Sequence, residues 1–191
     1  MEIQKAEKNQ AREIARLIMV AMNYECCQFF AGPDHTLQDF EDAMTRLVAR
    51  EDTQYSYRNT LAAMEGGELA GVLVCYDGGR LYELREAFIA EAKAAFGRDV
   101  RGILADETEA GELYLDSLCV RPAFRGRGIA TALLRAGIER ARELGLPRAG
   151  LLVDQGNPSA ERLYRRIGFR HAGDSAWGGH PMRHLVFDCE D

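Results

Sequence analysis

Long apolar runs are missing from this sequence: none approaches the roughly 18 consecutive apolar residues that span a bilayer, so no membrane anchor is expected. The opening residues, Met1-Glu2-Ile3-Gln4-Lys5-Ala6-Glu7-Lys8, contain no apolar core, and no export signal is expected either. Cysteine is scarce and unpatterned. The five, Cys26, Cys27, Cys75, Cys119 and Cys189, are odd in number and include no C-x-x-C pair, which argues against a disulfide framework and against a metal site of the zinc type. A cytoplasmic protein fits these absences, with the adjacent Cys26 and Cys27 read as small buried hydrophobes rather than a redox pair. Internal repeats, low-complexity tracts and linkers are also lacking. What remains, 191 residues of which 47% are apolar and 28% charged, is the profile of a single domain covering 1–191.

Positive charge is in deficit too. With 24 Lys+Arg against 30 Asp+Glu the net charge is −6, which argues against a nucleic-acid partner, since binding to phosphate backbone needs a basic footprint. The deficit is uneven. Between Arg121 and Arg170 stand 11 arginines, no lysine and 4 acidic residues, a local balance of +7; the remainder holds 13 basic against 26 acidic residues, a balance of −13. Most of those arginines read as decoration of exposed helix faces. The question is whether any are focused on an anion.

Ile3 to Ala6 reads as a short strand, and Ile14, Leu17, Ile18, Ala21 and Met22 recur at helical spacing. Thr36 followed by Asp39 forms a capping-box pattern opening a second helix with Leu37, Phe40, Met44, Leu47 and Val48 on its apolar face. Tyr57 to Met64 and Leu69 to Tyr76 read as a hairpin turning at Gly66-Gly67. Residues 81–111 form an excursion: a helix carrying Leu84, Phe88, Ala92, Ala95 and Phe96, then a polar stretch with Asp106, Glu107 and Glu109, suited equally to a lid over an acceptor site and to an inert surface insertion. Leu113 to Val120 is a nearly continuous apolar run of central-strand type, ended by Arg121-Pro122. A glycine turn leads into a helix with Ile129, Leu133, Leu134, Ile138 and Ala141 on one face. Then come a buried strand at Gly150 to Val153, a helix capped by Asn157-Pro158, and terminal strands at Phe169 to Ala172 and Met182 to Phe187.

The turn Arg125-Gly126-Arg127-Gly128 between a strand and a helix start is a phosphate site in outline: unpaired backbone N–H groups lie at the positive end of a helix dipole, with arginine charge beside them. A P-loop is excluded, because the turn has no lysine. A dinucleotide fold stays as an alternative, with Asp154 at the end of the next strand, although Thr131 stands where its third glycine belongs and only one βαβ unit surrounds the motif.

These residues resemble the GNAT superfamily of acyl-CoA-dependent N-acyltransferases. Arg125-Gly126-Arg127-Gly128-Ile129-Ala130 matches that family's pyrophosphate loop, Gln/Arg-x-x-Gly-x-Gly/Ala. The segment Asn157 to Phe169 matches its second motif, Asn-x-x-Ala-x-x-x-Tyr-x-x-x-Gly-Phe. The resemblance covers about residues 113–171 and implies an α/β fold, with a mixed central sheet whose fourth and fifth strands splay and helices on both faces. It further implies transfer of an acetyl group from acetyl-CoA to a primary amine by direct attack in a ternary complex. Leu118, Cys119, Val120, Arg125, Gly126, Arg127, Gly128, Ile129, Ala130, Thr131, Asn157, Tyr164 and Arg165 would hold acetyl-CoA, with backbone N–H groups near Val120 polarising the thioester and Tyr164 protonating the departing thiolate. By spacing alone Tyr164 shares a core face with Ala160, Leu163 and Ile167, and Asn157 is equally a helix cap.

Asp116 is anomalous in its apolar strand. A carboxylate there must be paired, wet or raised in pKa, and the last suits a general base, while a buried arginine partner is the structural alternative. Some family members carry a catalytic glutamate at this position. Glu112, His180 and His184 are the other candidate bases. The acceptor is expected to be a small-molecule or peptide amine, and acidic residues around 34–52 and 106–116 favour a cationic one. Monomer and homodimer are equally compatible. A CoA-binding sensor of the same fold without catalysis is the alternative function.

Overall fold

The computed structural model describes residues 1–189. A seven-stranded sheet runs in the order β1-β2-β3-β4-β5-β7-β6, where β1 is Glu2–Lys5, β2 Thr60–Glu65, β3 Glu68–Asp77, β4 Glu112–Val120, β5 Arg148–Asp154, β6 Arg170–Trp177 and β7 His180–Asp188. All neighbours are antiparallel except β4 and β5. On one face lie α1 (Ala11–Met22), α2 (Tyr24–Ala31), α3 (Leu37–Val48) and α4 (Leu81–Phe96); on the other lie α5 (Ile129–Glu143) and α6 (Pro158–Ile167). Strand alternation divides the core accordingly: Val72 and Val74 meet Ile14, Ile18, Phe40 and Phe88, while Leu73, Leu113 and Leu115 meet Ile129, Leu133 and Leu134. No helix among the described residues is long and apolar enough to cross a membrane.

Local chemistry sets several boundaries. Thr36 Oγ1 accepts the Asp39 N–H at 3.2 Å and Asp39 accepts the Thr36 N–H at 2.7 Å, so the capping box opens α3 as its sequence predicts. The β2–β3 hairpin turns at Gly66 and Gly67, both with positive φ. Three differences from the sequence reading have physical causes. Strand β2 begins at Thr60 rather than Tyr57, because the Ser56 hydroxyl accepts the Arg58 N–H at 3.1 Å and holds Tyr57–Asn59 in a 3-10 turn. Helix α2 follows α1 after one residue: Asn23 has φ 67° and ψ 153°, breaks the first helix, and caps the second through its Oδ1 and the Cys26 N–H at 2.8 Å. Ala21, counted on the apolar face of α1, is exposed at this break.

The helical part of the excursion 81–111 belongs to the core, while most of its polar stretch is exposed. Leu84, Phe88, Ala92 and Phe96 are buried, α4 ends at Gly97 in the left-handed conformation, and the chain returns to β4 with Glu107 turned inward. All five cysteines are free thiols, four of them buried, and burial pushes Cys26 and Cys27 up to about 12, so neither is a thiolate at neutral pH.

Candidate active site

Strands β4 and β5 pair only at Glu112↔Arg148, Leu113↔Ala149 and Tyr114↔Gly150. The cause of their divergence lies on the other side of β4. Its register with β3 passes from Val74↔Ser117 to Cys75↔Leu115, leaving Asp116 as the extra residue of a β-bulge, which bends the strand away from its parallel neighbour. The wedge that opens is a cleft of about 510 Å³, with Asp116–Val120 along one wall and Leu152–Asp154 along the other. The splay expected for the fourth and fifth strands is therefore present, and the anomalous aspartate sits at its origin.

The Arg121 N–H donates to the Ala70 carbonyl at 2.9 Å. Alternation along an antiparallel ladder then turns the backbone groups of Leu118 and Val120 away from β3 and into the gap. The Val120 carbonyl is engaged there by Arg125 Nε at 3.2 Å, which leaves the Leu118 and Val120 N–H groups as donors facing the cleft.

The glycine turn closes the far end. Gly126 and Gly128 have φ of 75° and 80°, a region costly for any residue with a Cβ. Gly128 is the N-cap of α5 and provides no side-chain cap; the first bond into the helix is from the Ala132 N–H to the Gly128 carbonyl. The amides of Ile129, Ala130 and Thr131 therefore present the positive end of a 15-residue helix to a ligand, and Arg125 and Ala130 line the cleft. The other residues of this group sit differently. The Ile129 side chain is core, so only its amide is available. Arg127 lies 5.4 Å from the Phe124 ring centroid and 3.4 Å from Glu65, and Arg165 pairs with Glu161 at 2.7 Å; neither lines the cleft.

From α6 come Asn157 and Tyr164. Asn157 Oδ1 accepts the Ala160 N–H at 3.1 Å and also lines the cleft, so its capping role is realised at the edge of the site. The Tyr164 ring packs edge-on against Phe169 and faces the cleft; burial pushes its phenol up to about 12, which keeps it protonated.

Asp116 Oδ1 accepts the Ser117 hydroxyl at 2.7 Å, whereas Oδ2 is closed to solvent and has no hydrogen-bond partner. Burial raises its pKa well above the usual carboxylate range, against the lowering effect of Ser117, Gln54, Tyr76 and the Arg85 charge. A buried arginine, Arg85, stands nearby as the structural alternative requires, but its ion pairs go to Asp106 at 3.1 Å and Glu107 at 3.6 Å. The remaining candidate bases separate. His180 lines the cleft, 3.5 Å from Asp154. Glu112 and His184 do not: Glu112 is fully buried beneath Gly150, accepting the Thr108 hydroxyl at 2.7 Å and lying 3.0 Å from His184 Nε2. No group of three His, Cys, Asp or Glu suited to a metal occurs among the described residues.

Glu107, Tyr55, Cys26 and Trp177 also line the cleft and were not singled out from sequence as site residues. The only signal was the acidic cluster 106–109, which does not say which carboxylate turns inward.

The model of the acetyltransferase (GNAT) family matches residues 19–169. The crystal structure of an acetyltransferase superposes with a TM-score of 0.82 at 30% identity, covering 100% of both chains. An N-acetyltransferase from Staphylococcus aureus Mu50 also superposes at 0.82, with 24% identity over 98% of this chain and 100% of that one, a likeness of fold. An acetyltransferase of Agrobacterium fabrum is 43% identical over 74 residues, 39% of this chain and 53% of that protein. A mycothiol acetyltransferase of Nocardiopsis dassonvillei is 41% identical over 66 residues, 35% of this chain and 19% of that protein, so the chain spans about half or less of these two curated relatives. With the family model matched over most of its length, the chain belongs to the acetyltransferase (GNAT) family.

Proposed function

We propose that the protein is an N-acetyltransferase that moves an acetyl group from acetyl-CoA to a primary amine. The single observation that carries this reading is the shared cleft: an uncapped helix N-terminus, two backbone donors on a splayed strand, a protonated tyrosine and an ionisable aspartate all open into one wedge. When bound, acetyl-CoA supplies a thioester whose carbonyl accepts an amine and whose sulfur leaves as a thiolate.

The amides of Ile129 to Thr131, with Arg125, would hold the phosphates, because no side-chain cap occupies that helix end among the described residues. Leu118 and Val120 would pair with the extended arm of the ligand, and the Val120 N–H would stabilise charge on the carbonyl oxygen. Asp116 Oδ2, lacking any partner, takes a proton from the acceptor nitrogen. Tyr164 Oη donates its proton to the sulfur. As the C–N bond forms the C–S bond breaks. Of the two protons that an ammonium acceptor loses, one goes to the carboxylate and the other replaces the proton given up by Tyr164.

Binding is tested by thermal shift. Acetyl-CoA at about 100 times its Kd stabilises by about 2.7 kcal/mol, a rise of roughly 5–10 °C for a chain of this size, and NAD gives none. A shift with NAD and none with any CoA thioester returns the turn to the dinucleotide reading. Binding of acetyl-CoA without thiol release from any amine supports a sensor.

A further inference from the structure

Besides the half-buried Asp116, the cleft contains a buried carboxylate. Glu107, carried by the segment between α4 and β4, is only 8% exposed and accepts the Tyr76 hydroxyl and the Gln54 Nε2, each at 3.3 Å. Asp116 lines the same cleft and its charge acts on Glu107, so the two carboxylates are neighbours in one cluster. Around them stand Tyr76 from β3, Tyr114 from β4, Gln54 and Tyr55 from the segment before β2, Cys26 from α2 and Arg85 from α4. Only Arg85 is a cation, and it also serves the half-exposed Asp106. The buried cluster is thus short of one positive charge. It is also short of donors: Asp116 Oδ2 has no partner, nor has the Oε1 of Gln54, a residue 3% exposed.

A primary alkylammonium ion makes good both deficits, bringing one positive charge and three N–H donors. We propose that Glu107 and Asp116 act as one unit that receives the acceptor as a primary alkylammonium ion and takes its proton, with Glu107 as a second catalytic carboxylate. The inference rests on the acetyl-transfer reading above. Without an acceptor, a proton fills the same vacancy in charge; burial, and then the Asp116 charge, raise Glu107 above the usual carboxylate range. Entry of the ammonium releases that proton to solvent. The ammonium then gives one proton to the pair, the N–H bonding electrons becoming the lone pair that attacks the acetyl carbon; the second proton replaces the one Tyr164 gives to the sulfur, and the unit ends the cycle as it began, singly protonated.

The test has two arms. In carboxyl ¹³C NMR of the wild-type protein, Glu107 and Asp116 should titrate as a coupled pair, with two steps visible in each curve and the upper step above the usual carboxylate range. Two independent single steps in the ordinary range overturn the proposal. In kinetics, butylamine, cationic at neutral pH, is compared with aniline, which is neutral there. Glu107→Gln should raise KM for butylamine at least about tenfold, the scale of one charged hydrogen-bonded contact, leave the KM of acetyl-CoA and of aniline within about twofold, and move the acid limb of kcat/KM downward. An equal effect on both amines, no effect on either, or a wild-type protein that acetylates aniline but no alkylamine overturns it. The NMR arm needs no variant, so a Glu107→Gln protein that fails to fold does not shield the proposal. Failure of the acetyl-transfer reading looks different: no thiol release from any amine with the wild-type protein.

Discussion

In the proposed reaction Tyr164 and Asp116 carry proton-transfer roles, and each has a competing structural explanation that one substitution separates. Tyr164→Phe keeps the ring against Phe169 and removes only the hydroxyl. Turnover should fall by about 10²–10⁴, the usual worth of a positioned acid, while acetyl-CoA affinity stays within about threefold. Equal losses in both would make Tyr164 a packing residue. Asp116→Asn separates stability from activity. Because burial raises the folded-state pKa above its unfolded value, the native state holds an extra proton over the window from the ordinary carboxylate pKa of about 4 up to the raised value. Stability therefore falls as pH rises through that window, and the penalty is complete above it. The asparagine variant should be more stable than wild type at pH 8 by about 1–2 kcal/mol, lose that advantage at pH 4, and show thiol release reduced by about 10²-fold or more. A variant less stable at both pH values would mean that the carboxylate is structurally required. Asp116 was legible as an anomaly because an acidic residue in an apolar run is conspicuous. Glu107 was not, because its burial comes from the way residues 97–111 fold back beneath the tyrosines.

At the scale of elements, the turn before α5 was readable in full, since glycine spacing after a strand has few other uses. Gly128 has φ 80°, with nothing within 4 Å of the place a Cβ would occupy, so alanine there meets no protein atom and pays only the backbone cost of about 1–2 kcal/mol. Gly145, at the other end of α5, has φ 67° and equally open surroundings. Gly128→Ala and Gly145→Ala should therefore lose similar stability in denaturant titrations, but only Gly128→Ala should weaken acetyl-CoA, by about tenfold or more, as the backbone is held off the phosphates. Matching affinities in the two variants would remove the turn from the binding site. Other elements were hidden. Helix α2, with the sequence Tyr-Glu-Cys-Cys-Gln-Phe-Phe-Ala, is too short for a clear period, and only the unusual backbone of Asn23 divides it from α1. The bulge in β4 has no local signature either: an apolar run specifies a central strand but not where its register slips.

For the whole molecule, the division of charge keeps its meaning with fewer actors than the count of 11 arginines suggests. Arg121, Arg127, Arg142, Arg148, Arg165 and Arg170 are held by carboxylates, and Arg125 is the arginine of that third that lines the cleft. Most of the excess is surface decoration, and the proposed anion site would depend on one side chain and a helix end. Two carboxylates of the acidic remainder, Glu107 and Asp116, line the same cleft, with Tyr164 facing it from α6, so under the proposed function the wedge would run from a phosphate-binding end to an amine-binding end. The measurement that tests this account most directly is amine-dependent release of free thiol from acetyl-CoA by the wild-type protein, run over a panel of alkylamines. Release should require an amine, saturate in both reactants and be lost in Tyr164→Phe. No release above the rate of hydrolysis with any amine, while acetyl-CoA binds, would contradict the proposed function.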